Sequence, residues 1–180
     1  MLFRSPADLL QPFEHGRSII RGTLDPDFQK HLLAERAQRP QPARDDKAIA
    51  AWNGLALAAL AEAGRRGMPR QGTLDAARRL GEFLLGPLWA PDGRLWRSWR
   101  DGRATVPGYL EDYAAVAHGL YELHVATGEL RWLEESNRLA RLAVDLFADD
   151  EHGGFFMAAR DAEQLVARKK DLDEIGRAHV

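Results

Sequence analysis

The chain has 180 residues, of which 45% are hydrophobic and 29% are charged, as is typical of a globular domain. A formal net charge of −2 gives no basic excess for binding nucleic acid, and the lack of cysteine excludes disulfides and thiolate chemistry within the sequence. No apolar run is long enough to span a membrane, and the first residues lack the pattern of a signal peptide. We therefore expect a cytoplasmic protein that binds neither membranes nor nucleic acid.

The two ends of the sequence differ in character from the rest. Residues 1–5 and 174–180 follow no hydrophobic period, lead into no predicted element and resemble the translated ends of a sequencing adapter. We interpret both as non-native, with frayed natural termini as the alternative. On this interpretation the natural protein continues beyond both ends, and missing parts of its own chain are among the partners of this piece.

The first quarter of the chain carries the least informative patterns, and we assign it to a helix and a linker. Residues 6–43 contain one helix-like run, over 27–38, and then a proline-rich linker that ends at Pro42. Residues 44–173 carry the stronger patterns.

The first of these patterns predicts an inner, buried helix. From Asp46 to Arg66 the sequence is dominated by Ala and Leu, and Asp45 or Asp46 is placed to cap it. Because the run is apolar almost all the way round, we expect it to be buried on all sides.

An outer helix and a short hairpin are predicted next. The run from Thr73 to Leu85 is amphipathic, which is typical of a helix with one face in water. Turn signals at Pro91-Asp92-Gly93 and Asp101-Gly102 then flank aromatic and β-favouring residues, and they indicate a hairpin or extended loop over 89–107.

The same order of elements occurs a second time. An apolar helix is predicted over 109–126, an amphipathic helix over 129–147, and an aromatic turn around Gly153. The two units are about 60 residues apart, and this spacing with one buried and one half-exposed helix indicates stacked helical hairpins, because one hairpin cannot bury its apolar faces alone.

Two architectures fit stacked hairpins, an open superhelical solenoid and a closed double ring. The inner helices of a solenoid line a wetted concave face and need a polar stripe, whereas these are apolar except near their N-termini. We therefore predict an all-α fold made of hairpins of an incomplete (α/α) toroid, with short aromatic β-like turns between the hairpins.

Four motifs occur in order along the chain: Arg44-Asp45-Asp46-Lys47, Ala51-Trp52-Asn53-Gly54, the run from Pro107 to Ala114, and the run from Asp149 to Phe156. In this set the chain resembles the C-terminal part of the thioredoxin domain-containing proteins of the spermatogenesis-associated protein 20 type. The resemblance implies a thioredoxin-like domain before this region and a six-hairpin toroid of the glycosidase and N-acylglucosamine 2-epimerase sort. It does not define a reaction.

Carboxylates at the starts of the inner helices are the first candidates for chemistry. Asp45 and Asp46 precede the first inner helix, and Glu111 and Asp112 lie in the first turn of the second. The N-terminal ends of the inner helices of a toroid open into one funnel, where a protonated and an ionised carboxyl can cleave a glycosidic bond. The alternative is that these residues only cap helices.

Other residues are candidates for holding or reacting with a sugar. Trp52 and Tyr113 hold similar positions in the two units and are placed to stack on a sugar ring, with core packing as the alternative for both. Asn53 is placed to donate hydrogen bonds, because an Asn inside an apolar helix needs a buried partner or a cavity. Arg97 is placed to contact an acidic group, with a solvated cation as the alternative. His118 is a candidate proton-shuttling base, with a core packing role as the alternative.

Two functions remain open from the sequence. The first is an acid–base glycosidase or sugar epimerase, and the second is a non-catalytic scaffold or binding module coupled to a redox domain. No cofactor is expected, and no His and carboxylate spacing suggests a metal site. Two hairpins taken from a ring leave apolar helix edges unpaired, so we expect the isolated piece to be unstable or to associate.

Overall fold

The computed structural model describes residues 10–12, 15, 18–20, 25–67, 72–163 and 168–170. The expected non-native ends, 1–5 and 174–180, lie outside these residues. The chain divides between Asp45 and Asp46 into two compact units, each described by itself below.

The first unit contains a two-stranded ribbon and one helix. Strands β1 (Leu10–Pro12) and β2 (Ser18–Ile20) pair antiparallel, and helix α1 covers Pro26–Ala37. Asp25 caps α1, since its carboxylate accepts two backbone N–H groups of the first turn, and Pro26 suits the first helical position. The helix agrees with the predicted run over 27–38, whereas the ribbon was not predicted.

The second unit contains two helical hairpins and one small sheet. Its elements are β3 (Ala48–Ile49), α2 (Ala50–Arg65), α3 (Thr73–Leu85), β4 (Trp96–Arg100), β5 (Arg103–Pro107), α4 (Leu110–Thr127) and α5 (Leu130–Phe147). No helix among the described residues is long and apolar enough to cross a membrane.

The inner helices α2 and α4 pack directly on each other, backbone to backbone. A Cβ added to Gly54 would lie 2.5 Å from the carbonyl carbon of Ala115, and one added to Gly119 would lie 2.5 Å from the carbonyl oxygen of Gly54. Glycine is therefore needed at both positions for this approach.

Each outer helix packs on its own inner helix, α3 on α2 and α5 on α4. Their amphipathic patterns explain this, because each buries one apolar stripe and leaves charged residues in water. The buried hydroxyl of Ser136 on α5 also donates a hydrogen bond to the carbonyl of Ala117 on α4 at 2.7 Å. Two hairpins thus stand side by side, joined through their inner helices.

The sheet has the order β3-β4-β5, all antiparallel; in the chain β3 precedes the first helical hairpin, and β4 and β5 lie between the two. Strands β4 and β5 form the hairpin predicted over 89–107, and they turn at Asp101 and Gly102, whose φ angles are 51° and 79°. Each helical hairpin ends in an aromatic turn closed by an isolated bridge, Trp89 with Leu95 in the first and Ala148 with Phe155 in the second.

Two predictions about the inner helices were wrong. Helix α2 begins at Ala50 and not at Asp46, because Ala48 and Ile49 are drawn into the sheet by pairing with β4. Nor are the inner helices buried on all sides, since Trp52 is 72% exposed and Tyr121 is 47% exposed. One face of each inner helix has no neighbour among the described residues.

Candidate functional site

Asp112 lies at the centre of the candidate site, at the third position of α4, with a side chain that is 0% exposed. One carboxylate oxygen, Oδ2, accepts the backbone N–H of Tyr109 at 2.9 Å and so caps the residue's own helix. The other, Oδ1, accepts the N–H of Ala51 at 2.9 Å, in the first turn of α2. A single carboxylate therefore caps both inner helices.

Arg97 on β4 joins this carboxylate to a second one. Its Nη1 donates to Oδ2 of Asp112 at 3.0 Å and to Oε1 of Glu111 at 2.6 Å. Its guanidinium also lies over the ring of Tyr109, 4.8 Å from the ring centre. The cluster thus holds two carboxylates on one nitrogen of a cation, at the N-terminal ends of both inner helices.

The two carboxylates are in different environments. The Glu111 side chain is 48% exposed, whereas that of Asp112 is fully enclosed. Burial raises the pKa of Asp112 above its usual value, and this effect is opposed by the Tyr109 N–H, the charge of Arg97 and the Ala51 N–H. Of this pair only Glu111 is exposed, whereas Asp112 is enclosed and hydrogen-bonded to Arg97 and to the first turns of both inner helices.

Tyr109 is the member of the cluster that the sequence analysis did not single out. It is the N-cap residue of α4 and follows Gly108, whose N–H donates to the carbonyl of Leu95 at 2.8 Å. A Cβ on Gly108 would lie 2.8 Å from that same oxygen, so only glycine fits here. The Pro-Gly pair before an aromatic residue was the available signal.

Asp45 and Asp46 do not cap α2, contrary to the sequence-based prediction. Both are exposed and precede strand β3, so the helix starts four residues after Asp46. The N-cap residue of α2 is Ile49, and the carboxylate that binds an N–H group of the first turn is that of Asp112.

Trp52 and Asn53 lie in the first turn of α2, next to Ala51. The indole of Trp52 is open to solvent, which removes the core alternative for this residue. The side-chain amide of Asn53 donates to the carbonyl of Ile49 at 2.8 Å, so its need for a partner is met within its own helix.

Tyr113 does not occupy the position that Trp52 occupies, contrary to the prediction. It is 1% exposed, its hydroxyl accepts the N–H of Leu95 at 3.0 Å, and its ring packs edge to face on Phe147 at 5.4 Å. Tyr113 is therefore part of the core, and it is closed to a ligand.

His118 does not join the cluster either. Its side chain is exposed and lies 3.6 Å from Glu122, one turn further along α4. Six residues of helix separate it from Asp112, which is about 9 Å along the axis and on another face. The expected position in an apolar core was wrong, because this face of α4 is uncovered.

Among the described residues, no group of three or more His, Asp or Glu side chains is placed to hold a metal ion.

Comparison with protein families gives no match to any family model. Among individual proteins, spermatogenesis-associated protein 20 of Homo sapiens is 34% identical over 162 residues, and that of Rattus norvegicus is 35% identical over 163 residues. Both matches cover 84% of this chain and 20% of the relative. The chain thus spans about a fifth of the length of the curated relatives it matches.

Solved structures show the fold. A cellobiose 2-epimerase from Spirochaeta thermophila superposes with a TM-score of 0.56 at 22% identity, over 62% of this chain and 29% of that one. A D-mannose isomerase superposes with a TM-score of 0.56 at 18% identity, over 74% and 33%. The chain is therefore a relative of the spermatogenesis-associated protein 20 proteins over one fifth of their length, and its hairpins have the fold of hairpins in an (α/α) toroid.

Proposed function

We propose that the toroid region represented by this chain binds and modifies a carbohydrate, at the N-terminal ends of its inner helices. One observation carries the proposal: an exposed and a buried carboxylate share one nitrogen of Arg97 at that end of α2 and α4. Acid–base chemistry on sugars needs carboxyl groups in unlike environments. The fold neighbours, named as a cellobiose epimerase and a mannose isomerase, support the choice of ligand class.

Each residue of the cluster has its own role in this proposal. Glu111 is the group that touches the sugar and exchanges a proton with it, because it is the accessible carboxylate. Arg97 holds Glu111 in place through its hydrogen bond, and the buried carboxylate of Asp112 positions Arg97 in turn. Trp52, one residue beyond the amide that Asp112 binds, offers a flat apolar ring for stacking on the sugar.

A second candidate function is a binding module without catalysis, coupled to a thioredoxin-like domain elsewhere in the longer protein. A specific observation favours it: the hydrogen bonds and ion pairs of Asp112 and Arg97 are already satisfied within the chain, as in a purely structural cluster. For either function we propose a cytoplasmic location, which fractionation of cells expressing the gene would test.

Binding of simple sugars to the chain tests the proposal. We expect Glu111→Gln to weaken the binding of mannose or cellobiose at least about tenfold, since a hydrogen bond to a charged group contributes about 1.5 kcal/mol or more. Glu134→Gln, which changes an exposed glutamate on the outer helix α5, is the matched control and should leave affinity unchanged. Equal affinities of both variants, or no sugar binding by the unmodified chain, would contradict the proposal.

Exchange of the proton at C2 of the sugar distinguishes an epimerase from a module that only binds. An epimerase removes a proton next to the carbonyl, so incubation in deuterated water should place deuterium at C2 of the sugar, which proton NMR detects. A glycosidase instead releases reducing ends from a disaccharide. Binding with neither product would favour the binding module.

A further inference from the structure

The backbone of Val106, in strand β5 next to the candidate site, has a left-handed conformation with a φ of 64°. A β-branched residue rarely adopts this region, and the proline that follows favours an extended conformation at the residue before it. The turn at the other end of the same strand uses Asp101 and Gly102, and both residue types adopt positive φ more readily. Val106 is 45% exposed, so burial of its apolar side chain does not offset the strain.

The chain is fixed on the side that precedes Val106. The register of the β4–β5 ladder places Val106 opposite Arg97. The pairs on either side are Trp96 with Pro107 and Ser98 with Thr105. The hydroxyl of Ser98 also donates to the carbonyl of Thr105 at 3.1 Å. Strand pairing and this side-chain bond therefore hold the backbone up to the strained residue.

The residues after Val106 are fixed as well, and they carry the ring of Tyr109 to Arg97. The N–H of Gly108 donates to a backbone carbonyl just before β4 at 2.8 Å. The N–H of Tyr109 donates to Oδ2 of Asp112 at 2.9 Å, and the guanidinium carbon of Arg97 lies 4.8 Å from the centre of the tyrosine ring. A φ of about −140°, as is usual in an antiparallel strand, would rotate the chain after Val106 by roughly half a turn and take the ring away from Arg97.

We propose that Val106 is a positioning residue of the carbohydrate site, whose left-handed backbone holds the ring of Tyr109 against Arg97. The ring covers one face of the guanidinium while Nη1 donates to two carboxylates, so Arg97 is held in one orientation before a ligand arrives. Strained residues cluster at binding sites, where such pre-organisation reduces the cost of ordering side chains on binding. The link to a sugar rests on the proposed function, whereas the link from Val106 to Arg97 does not.

The position of Tyr109 relative to Arg97 can be measured without a ligand. An aromatic ring against the guanidinium shifts the proton NMR signals of Arg97 upfield, and Tyr109→Leu identifies this shift by removing the ring. We expect Val106→Gly, which frees the backbone, to lose most of the shift, and Val106→Asn to keep it, because asparagine adopts positive φ readily. Val106→Asn should also raise the urea midpoint, since it relieves the strain. Ala104→Gly, two residues earlier in β5, is the matched control and should keep the shift.

Affinity for mannose and cellobiose shows whether this position matters to the site. Val106→Gly should weaken binding about two- to tenfold, the range that corresponds to ordering one long side chain on binding. Val106→Asn, which restores the preference for positive φ, should restore the affinity, and Ala104→Gly should not change it.

Circular dichroism first establishes that the variants have native helix content. A folded Val106→Gly chain that keeps the Arg97 shift, or that loses the shift and binds sugar with unchanged affinity, overturns the proposal. A Val106→Asn chain with a lower urea midpoint also overturns it, since there would be no strain to relieve. If Val106→Gly loses the shift but the unmodified chain binds no sugar, the positioning of Arg97 stands and the proposed function fails.

Discussion

The carboxylate of Asp112 accepts the backbone N–H of Ala51 at 2.9 Å, across 61 residues of sequence. Helix α2 has no side-chain cap from its own N-cap residue, Ile49. The first turn of one hairpin is therefore completed by the first turn of the next, so the two hairpins do not form independently at this end.

Removal of this carboxylate should destabilise the whole second unit. Asp112→Ala leaves the backbone N–H groups of Ala51 and Tyr109 without an acceptor. It also removes one of the two carboxylates to which Nη1 of Arg97 donates. Because an unsatisfied buried donor costs about 1–3 kcal/mol, we expect a loss of about 2–4 kcal/mol in the free energy of unfolding. Urea denaturation at neutral pH measures it.

Two further variants separate the cap from the loss of a charge. Asp112→Asn keeps one acceptor oxygen and should cost less than the alanine variant. Asp145→Ala, on the wet face of α5, should change stability by no more than about 0.5 kcal/mol. If Asp112→Ala proved as mild as Asp145→Ala, the shared cap would have no energetic role.

The start of α2 shows what the sequence could not supply. The acidic pair Asp45-Asp46 before an Ala-rich run is the ordinary local signal of an N-cap, and it misplaced the start by four residues. The true start is set by strand pairing of Ala48 and Ile49 with β4 and by Asp112, both far away in sequence. By contrast, the local amphipathic pattern predicted α3 over Thr73–Leu85 with both ends correct.

The close contact of the inner helices gives a prediction whose sign opposes helix propensity. In an isolated helix, Gly54→Ala would stabilise by about 1 kcal/mol. Here the new Cβ meets backbone atoms of Ala115 at 2.5 Å, so we expect destabilisation by about 1–3 kcal/mol from overpacking. Thermal unfolding followed by circular dichroism checks this.

The propensity term can be measured on the same helix. Ala59→Gly, at an exposed position of α2, should cost about 1 kcal/mol and reports propensity without packing. A Gly54→Ala chain that melts higher than the unmodified protein would mean that α2 and α4 are further apart than described.

The sequence repeat did not predict which of Trp52 and Tyr113 is exposed. Their spacing in the sequence suggested equivalent positions, yet one is exposed and the other packs on Phe147. A repeat in sequence fixes the order of elements, whereas the rotation of a helix about its axis depends on neighbours. Since each residue turns a helix by about 100°, a shift of one position exchanges a wet face for a buried one.

At Gly102, in the turn between β4 and β5, alanine should destabilise the protein more than asparagine does. Gly102 has a φ of 79°, where a Cβ is strained, so Gly102→Ala should cost about 1 kcal/mol or more. Gly102→Asn should cost less, because asparagine adopts this region more readily. Urea midpoints of the two variants give the comparison, and equal midpoints would argue against the left-handed conformation.

Asp149 should give the second unit a stability component that acid removes. Its Oδ2 lies 2.5 Å from Nζ of Lys170, and this hydrogen bond is the main cause that lowers its pKa from 3.8 to about 2, against burial and with help from the N–H groups of His152 and Glu151. Because the folded pKa is below the unfolded one, the stabilisation is fully present above about pH 4 and is lost as the pH falls through about 2.

The free energy of unfolding of the unmodified chain minus that of Asp149→Asn should therefore shrink between pH 4 and pH 2. The control is Asp150→Asn, at the exposed neighbour, which should unfold with the same pH dependence as the unmodified chain. If the difference between the unmodified chain and Asp149→Asn stayed constant with pH, Lys170 would not hold the carboxylate of Asp149.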